Sequence, residues 1–213
     1  MLKVLLTGFG PFPGAPFNPT GPLVSVLARR RHRRFAGVRL IGHIFPTSYA
    51  AVDRELPALI RQETPAAILM FGLANRTRLL RIETCARNAR SRVLEDAGGY
   101  LPAEQAIERD GPALLPLRSP AARLLAAVRA AGVPAARSQD AGDYLCNYLC
   151  WRAARIAQTP RGPRLVAFIH VPSVRPLVLP PSRLCRPATT LGDLIGAGEA
   201  ILLAAIAAAR LPH

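Results

Sequence analysis

Arg164-Leu-Val-Ala-Phe-Ile-His170-Val-Pro172 is an apolar run that ends in a histidine and stops at a proline. A short continuous apolar run bounded by a breaker reads as a strand buried on both faces, the pattern of a parallel sheet covered by helices. Upstream of it lies Asp140-Ala-Gly-Asp-Tyr-Leu-Cys146-Asn147, where Gly142 and Asp143 are turn and N-cap residue types and apolar residues recur at helical spacing from Tyr144 onward. Downstream, residues 189–210 read as a final helix. It is apolar nearly all round, so it is either deeply buried or partly covered by another subunit.

The rest of the chain alternates in the same way. Residues 2–7 form a strand pattern, and Gly8 to Gly14 form a loop that Pro11 and Pro13 keep from being helical. A helix over 20–33, a strand over 38–45, a helix over 49–61 and a strand over 66–71 closed by Gly72 follow, with Pro57 counting against continuity of the second helix. The pattern weakens from 73 to 110. Residues 79–86 have the partial alternation of a strand that would carry Glu83, 88–99 are polar and loop-like, and 101–116 receive no assignment. Ser119 is a capping residue type with Pro120 at the first helical position, predicting a helix over 119–131, and residues 133–137 enter the next strand. Strands alternating with helices predict an α/β fold: a three-layer α/β/α sandwich with a twisted, mostly parallel sheet. No repeat or composition break appears, so residues 1–213 read as a single domain.

The chemistry centres on Cys146. In the first turn of a helix, unpaired N–H groups and the positive end of the dipole favour a thiolate, the nucleophilic form of cysteine. Cys150, one turn further among Leu149, Trp151 and Ala153, reads as a small buried hydrophobe, a reading also open to Cys146. Among the four histidines, His32 lies in an arginine-rich, solvated helix end, His213 is terminal, and His43 reads as a plain strand residue. His170 ends a buried strand, where ligands collect in open α/β sheets, although a satisfied strand-end histidine is the simpler reading of it alone.

A formal charge of +15 would suit anionic partners. Almost all of it is arginine spread along the chain, and the densest cluster, residues 29–34, lacks interleaved aromatics apart from Phe35 and has no nucleic-acid-binding signature beside it. A solvated helix end is the reading preferred to a nucleic-acid site. The cysteines lack metal or redox-pair spacing, which argues for reduced thiols and against a metal site. The amino terminus runs straight into a motif and no uninterrupted apolar run has spanning length, so a cytoplasmic protein without a membrane partner is expected.

Thr7-Gly-Phe-Gly-Pro-Phe-Pro-Gly14 with Asn18-Pro19, Arg81-Ile-Glu83, the Cys146 stretch and Phe168-Ile-His170-Val-Pro172 together resemble the type I pyroglutamyl peptidases, from the first strand to the last helix. The Cys146 and His170 motifs are the specific ones. The resemblance implies a cysteine peptidase that removes an N-terminal pyroglutamyl residue through a thioester, with Glu83, Cys146 and His170 as its triad. On its own, Glu83 flanked by Arg81 and Arg87 reads as an ion-pair partner. The resemblance also implies that Phe9, Phe12, Tyr144 and Leu145 line the lactam pocket, with Thr47 and Leu94 as weaker candidates, and that the tetrahedral oxyanion meets the Cys146 N–H and an arginine. Arg90 and Arg92 are both available for that last role. Gly10 stands where many members of the family carry an acidic residue. No cofactor is implied, pyroglutamylated peptides are the partners, and association into a homotetramer is expected. The reading from another class is a catalytically inactive or divergent basic scaffold of the same fold that binds anionic partners.

Overall fold

The computed structural model describes residues 1–12, 14–31, 33–174 and 189–211. His32, Cys185 and His213 lie outside the described residues. A six-stranded sheet has the order β2-β1-β3-β8-β4-β7, built from β1 (Leu2–Phe9), β2 (Val38–Phe45), β3 (Ala67–Leu73), β4 (Leu80–Glu83), β7 (Ala135–Ser138) and β8 (Leu165–Val171). Every pairing is parallel except that of β8 with β4. β5 (Cys85–Arg87) and β6 (Leu114–Pro116) form a separate antiparallel pair.

Two apolar cores sandwich the sheet. One lies under α1 (Thr20–Arg29), α3 (Ala121–Ala130) and α5 (Leu191–Ala209), and receives Leu69, Phe71, Ala167 and Ile169. The other lies under α2 (Tyr49–Glu63) and α4 (Leu145–Ala157), and receives Ile68, Met70, Val166 and Phe168. Alternate residues of β3 and β8 thus enter opposite cores, which is why these strands are apolar throughout and why the α/β/α sandwich was legible.

Local expectations fail where tertiary contacts outweigh local preference. α2 continues through Pro57 to Glu63, because Val52, Leu56 and Ile60 bury its inner face and offset the lost backbone donor. Its end is marked by Thr64 in the left-handed conformation, φ 46°. α1 stops at Arg29, and the arginine run continues into a 3₁₀ turn over Arg33–Phe35. Residues 79–86 are not one strand but two, broken at Thr84 and assigned to different sheets. Ser119 does not cap α3: its hydroxyl is buried without a partner among the described residues, and Pro120 rather than Ser119 precedes the helix. α5, by contrast, begins with a full capping box between Thr190 and Asp193. It is long and apolar enough to cross a membrane by length and composition, yet Leu194, Ala197, Ile201, Leu202, Ala205 and Ile206 build the first core.

Candidate active site

Strand parity decides which side chains meet. Leu80 and Ile82 enter the α1/α3/α5 core, which turns Arg81 and Glu83 toward α4, and His170 has the same parity as Phe168. The antiparallel register sets Arg81 opposite His170 and Glu83 opposite Phe168. His170 Nδ1 is 2.7 Å from Glu83 Oε1, with the carboxyl group fully buried and the imidazole 4% exposed. An ionised carboxylate only accepts, so Nδ1–H donates and Nε2 is the ring nitrogen left free to take a proton.

Cys146 is the second residue of α4, where backbone N–H groups have no intrahelical partner. Tyr144, not Asp143, is the N-cap residue, and no side chain caps this helix end. The entry turn depends on Gly142, whose φ of 81° suits glycine. The thiol rests against Gly72: a Cβ there would fall 2.7 Å from Cys146 Sγ and 2.6 Å from Phe168 Cζ. Gly72 pairs with His170 in the β3–β8 register, and adjacent strands are ~4.8 Å apart. The sulfur therefore stands beside the imidazole, although no thiol–imidazole hydrogen bond closes among the described residues; such bonds commonly tighten when substrate binds.

The surroundings of Cys146 work against the thiolate that a helix start favours. Although the residue keeps some exposure, dense packing about the thiol, followed by the negative charge of Glu83, pushes its pKa up to about 12, with Arg81 pulling the other way. Desolvation thus opposes what the helix start favours, the circumstance in which a neighbouring base activates a thiol. Cys150 is fully buried, and burial raises its thiol well above the ordinary value, as expected of an inert core cysteine.

The structure places the other expected residues unevenly. Phe9 ends β1, is buried and packs against Phe45 at 6.1 Å between ring centroids. Phe12 is partly buried in the loop and bridges to Ala15. That loop is tied down by Asn18, which donates to the Gly10 carbonyl and accepts from the Thr20 amide, while the Thr20 hydroxyl meets both backbone groups of Phe9. Leu145 is buried and Tyr144 partly so, both in the apolar cluster that Cys146 borders. Thr47 is buried with its hydroxyl unpartnered, whereas Leu94 is half exposed. Arg90 turns inward, donating to the Ala106 carbonyl and leaving a buried Nε without a partner, while Arg92 is exposed.

Several organising residues escaped the sequence reading. Asp96 accepts from the amides of Tyr49, Gly98 and Tyr100, so it caps α2 from across the site and anchors the 91–100 loop. Burial opposes its charge, but those amides and the Ser48 hydroxyl hold its carboxyl below the usual range. Its signal was available, since Asp two residues before Gly is the pattern of a side-chain-closed turn. Asn147 accepts from the Arg87 amide and donates to the Arg87 and Ala89 carbonyls, clamping the segment after Glu83 to α4. Tyr144 donates to the Glu95 carbonyl, and Tyr49 meets Tyr144 and Tyr148 edge to face. Asn147 and Tyr49 have no local signature, because their partners are remote in sequence.

Comparison with known proteins agrees with this geometry. The pyroglutamyl peptidase family model matches residues 2–210. The pyrrolidone-carboxylate peptidase of Thermococcus onnurineus is 31% identical over 94% of this chain and 97% of its own. The structure of pyrrolidone carboxyl peptidase from Thermococcus litoralis superposes with a TM-score of 0.87 at 28% identity, covering 97% of this chain and 94% of that one. That of the Thermus thermophilus enzyme gives 0.79 at 31% identity, covering 93% and 98%. This chain belongs to the pyroglutamyl peptidase family.

Proposed function

We propose that the chain hydrolyses the amide bond after an N-terminal pyroglutamyl residue, with Cys146 as nucleophile, His170 as base and then acid, and Glu83 as the group that orients the imidazole. The observation that carries this reading is the buried 2.7 Å His170–Glu83 pair beside a thiol seated on Gly72. His170 Nε2 takes the Cys146 proton as sulfur attacks the pyroglutamyl carbonyl carbon. The imidazolium then protonates the leaving amine as the C–N bond breaks, leaving a thioester. Water, deprotonated by the same nitrogen, attacks the thioester; pyroglutamate leaves and the thiol is regenerated. Glu83 fixes the Nδ1–H tautomer and stabilises the imidazolium. The free N–H groups at the start of α4, that of Cys146 among them, suit the tetrahedral oxyanion. Of the two arginines, the inward-facing Arg90 is better disposed than Arg92 to assist.

Pyroglutamate is a flat, neutral lactam, which suits apolar walls with a few fixed polar groups. Phe9, Tyr144 and Leu145 of the second core are assigned to the former, together with Phe12 on the loop after β1, and the buried Thr47 Oγ1 and Tyr49 Oη have hydrogen-bonding capacity to spare among the described residues. Leu94, half exposed, fits the rim rather than the wall. A peptide beginning with glutamine, glutamate or proline would bring a charged amino terminus into this apolar site, at a far higher desolvation cost.

The test is hydrolysis of a chromogenic pyroglutamyl amide. Cys146→Ala is expected to abolish it, while Cys85→Ala and Cys150→Ala retain it; full activity in folded Cys146→Ala would remove the nucleophile assignment. Otherwise identical peptides starting with pyroglutamate, glutamine, glutamate or proline then read specificity, and comparable rates on proline would overturn the lactam pocket. No turnover of any peptide, with salt-dependent polyanion binding, would favour the basic-scaffold alternative. The densest arginines favour it little: Arg30, Arg31, Arg33 and Arg39 line an open cleft of about 580 Å³ at the amino ends of β1 and β2, away from the triad. We also assign residues 1–213 to one catalytic domain acting in the cytoplasm, and association of copies is supported by the apolar character of α5, in which Ile195, Leu203 and Ala204, packed against the first core, are only partly buried. Light scattering on the purified protein tests that association.

A further inference from the structure

Arg81 is a charged strand residue beside the triad that the mechanism above leaves unused. It faces α4 from β4, directly across from His170. Its Nη2 lies 3.4 Å from His170 Nδ1, and its Nε lies 3.4 Å from Glu83 Oε1, the same oxygen that holds the imidazole at 2.7 Å. The two longer contacts mean that His170 keeps the carboxylate and the guanidinium lies across the pair. Among the described residues, Arg81 Nε and Glu83 Oε2 are both buried without a hydrogen-bond partner. Glu83 is wholly buried, and a buried carboxylate beside a neutral imidazole carries an uncompensated charge.

We propose that Arg81 is a positioning residue of the triad, whose cation keeps the buried Glu83 charged while His170 stays neutral, and so sets the pH range in which the thiol can be activated. This rests on the triad reading above. Without a cation at Arg81, Glu83 would draw a proton onto the imidazole, and an imidazole already protonated cannot take the proton of Cys146. With it, the field favours a thiolate at Cys146 and disfavours early protonation of His170. The guanidinium is the group that lowers the Cys146 pKa against burial and the charge of Glu83. Among the described residues, the other titratable or charged groups around the triad are Cys85 on β5, Cys150 on α4, Tyr144 and Asp140 before α4, and Arg87, which pairs with Asp140 at 3.1 Å. Arg87 is thus already engaged with an acid outside the triad, whereas Arg81 reaches both Glu83 and His170.

The sign follows whichever proton inventory describes the active form. Arg81 opposes protonation of both the imidazole and the thiolate, so removing its charge moves both limbs of the pH profile upward. The test compares wild type with Arg81→Met, Arg81→Gln and Arg81→Lys, measuring kcat/KM on a chromogenic pyroglutamyl amide across roughly pH 5 to 10. Met and Gln are expected to shift both limbs up by about half a unit to one unit, discounted for the partly exposed guanidinium, and to lower the rate near neutrality roughly 3- to 10-fold. Lys keeps the charge and is expected to hold the limbs near wild type. In parallel, iodoacetamide alkylation of the Cys146 peptide, followed by mass spectrometry, reads the thiol without turnover and is expected to shift in the same direction. Unmoved limbs and an unmoved alkylation profile in both Met and Gln, whatever the loss of kcat, would leave Arg81 a packing residue and overturn the proposal. If Cys146→Ala retains activity, the triad reading falls instead, and the alkylation profile still decides whether Arg81 acts on the thiol.

Discussion

β8 and β4 are hydrogen-bonded neighbours that each carry one residue of the proposed triad, yet they are built differently. β8 is seven residues long, buried throughout, and parallel to β3. β4 has four residues, runs against β8, and presents Arg81 and Glu83 on its α4 face. A strand buried between two helix layers must be apolar on both faces, so β8 announces itself. β4 carries charge inward because Glu83 meets His170 of β8 while Arg81, on its own strand, lies across that pair, and a strand with charges on alternate positions looks like a surface strand. Of the two, the strand that carries Arg81 and Glu83 breaks the local pattern, as expected where a site is maintained against folding preference.

The sharpest way to break the comparison is at the His170–Glu83 bond. His170→Ala is expected to lower kcat on a pyroglutamyl amide by roughly 10⁴-fold, and Glu83→Gln, which keeps the shape but allows the wrong tautomer, by a comparable factor. A Glu83→Gln enzyme retaining more than a tenth of wild-type kcat would mean that β8 alone carries the chemistry.

Gly72→Ala tests the seat that β3 provides beside β8. The new methyl would lie within 2.7 Å of both Cys146 Sγ and Phe168 Cζ, so the thiol should move by a fraction of an ångström. Activity is expected to fall about 10²-fold, with stability lower by about 1–3 kcal/mol. An alanine enzyme with wild-type kcat would show that thiol placement does not depend on the bare strand.

On the irregular side, Asp96→Ala removes the acceptor that joins the 91–100 loop to α2, and is expected to cost about 1–2 kcal/mol at neutral pH. Because the folded carboxyl is held below its unfolded value, this contribution is complete above the unfolded value, about 4, and is lost as pH falls through the lower folded value. Thermal unfolding of wild type and variant should therefore differ at pH 7 and converge in strong acid. A gap that persists unchanged into acid would assign Asp96 a packing role only.

The smallest effect is expected at Ser119→Ala, within about 0.5 kcal/mol of wild type or slightly stabilising, since its buried hydroxyl makes no hydrogen bond. A loss above about 1 kcal/mol would restore Ser119 as a cap for α3.

By itself the sequence determined the layered α/β architecture, because β1, β3 and β8 are buried on both faces and wear that burial as unbroken apolar runs. It also marked Cys146 at a helix start and His170 at a strand end, since both sit in motifs with local punctuation, a glycine turn and a proline stop. Only the tertiary structure decided the rest. The reversal of β4, the break at Thr84, the continuation of α2 through Pro57, and the placing of Arg81, Asp96 and Asn147 all depend on partners distant in sequence. At Cys146 the fold also sets burial and the charge of Glu83 against the local helix-start signal, because the helix N-terminus acts over one turn whereas desolvation sums over everything the fold packs around the sulfur.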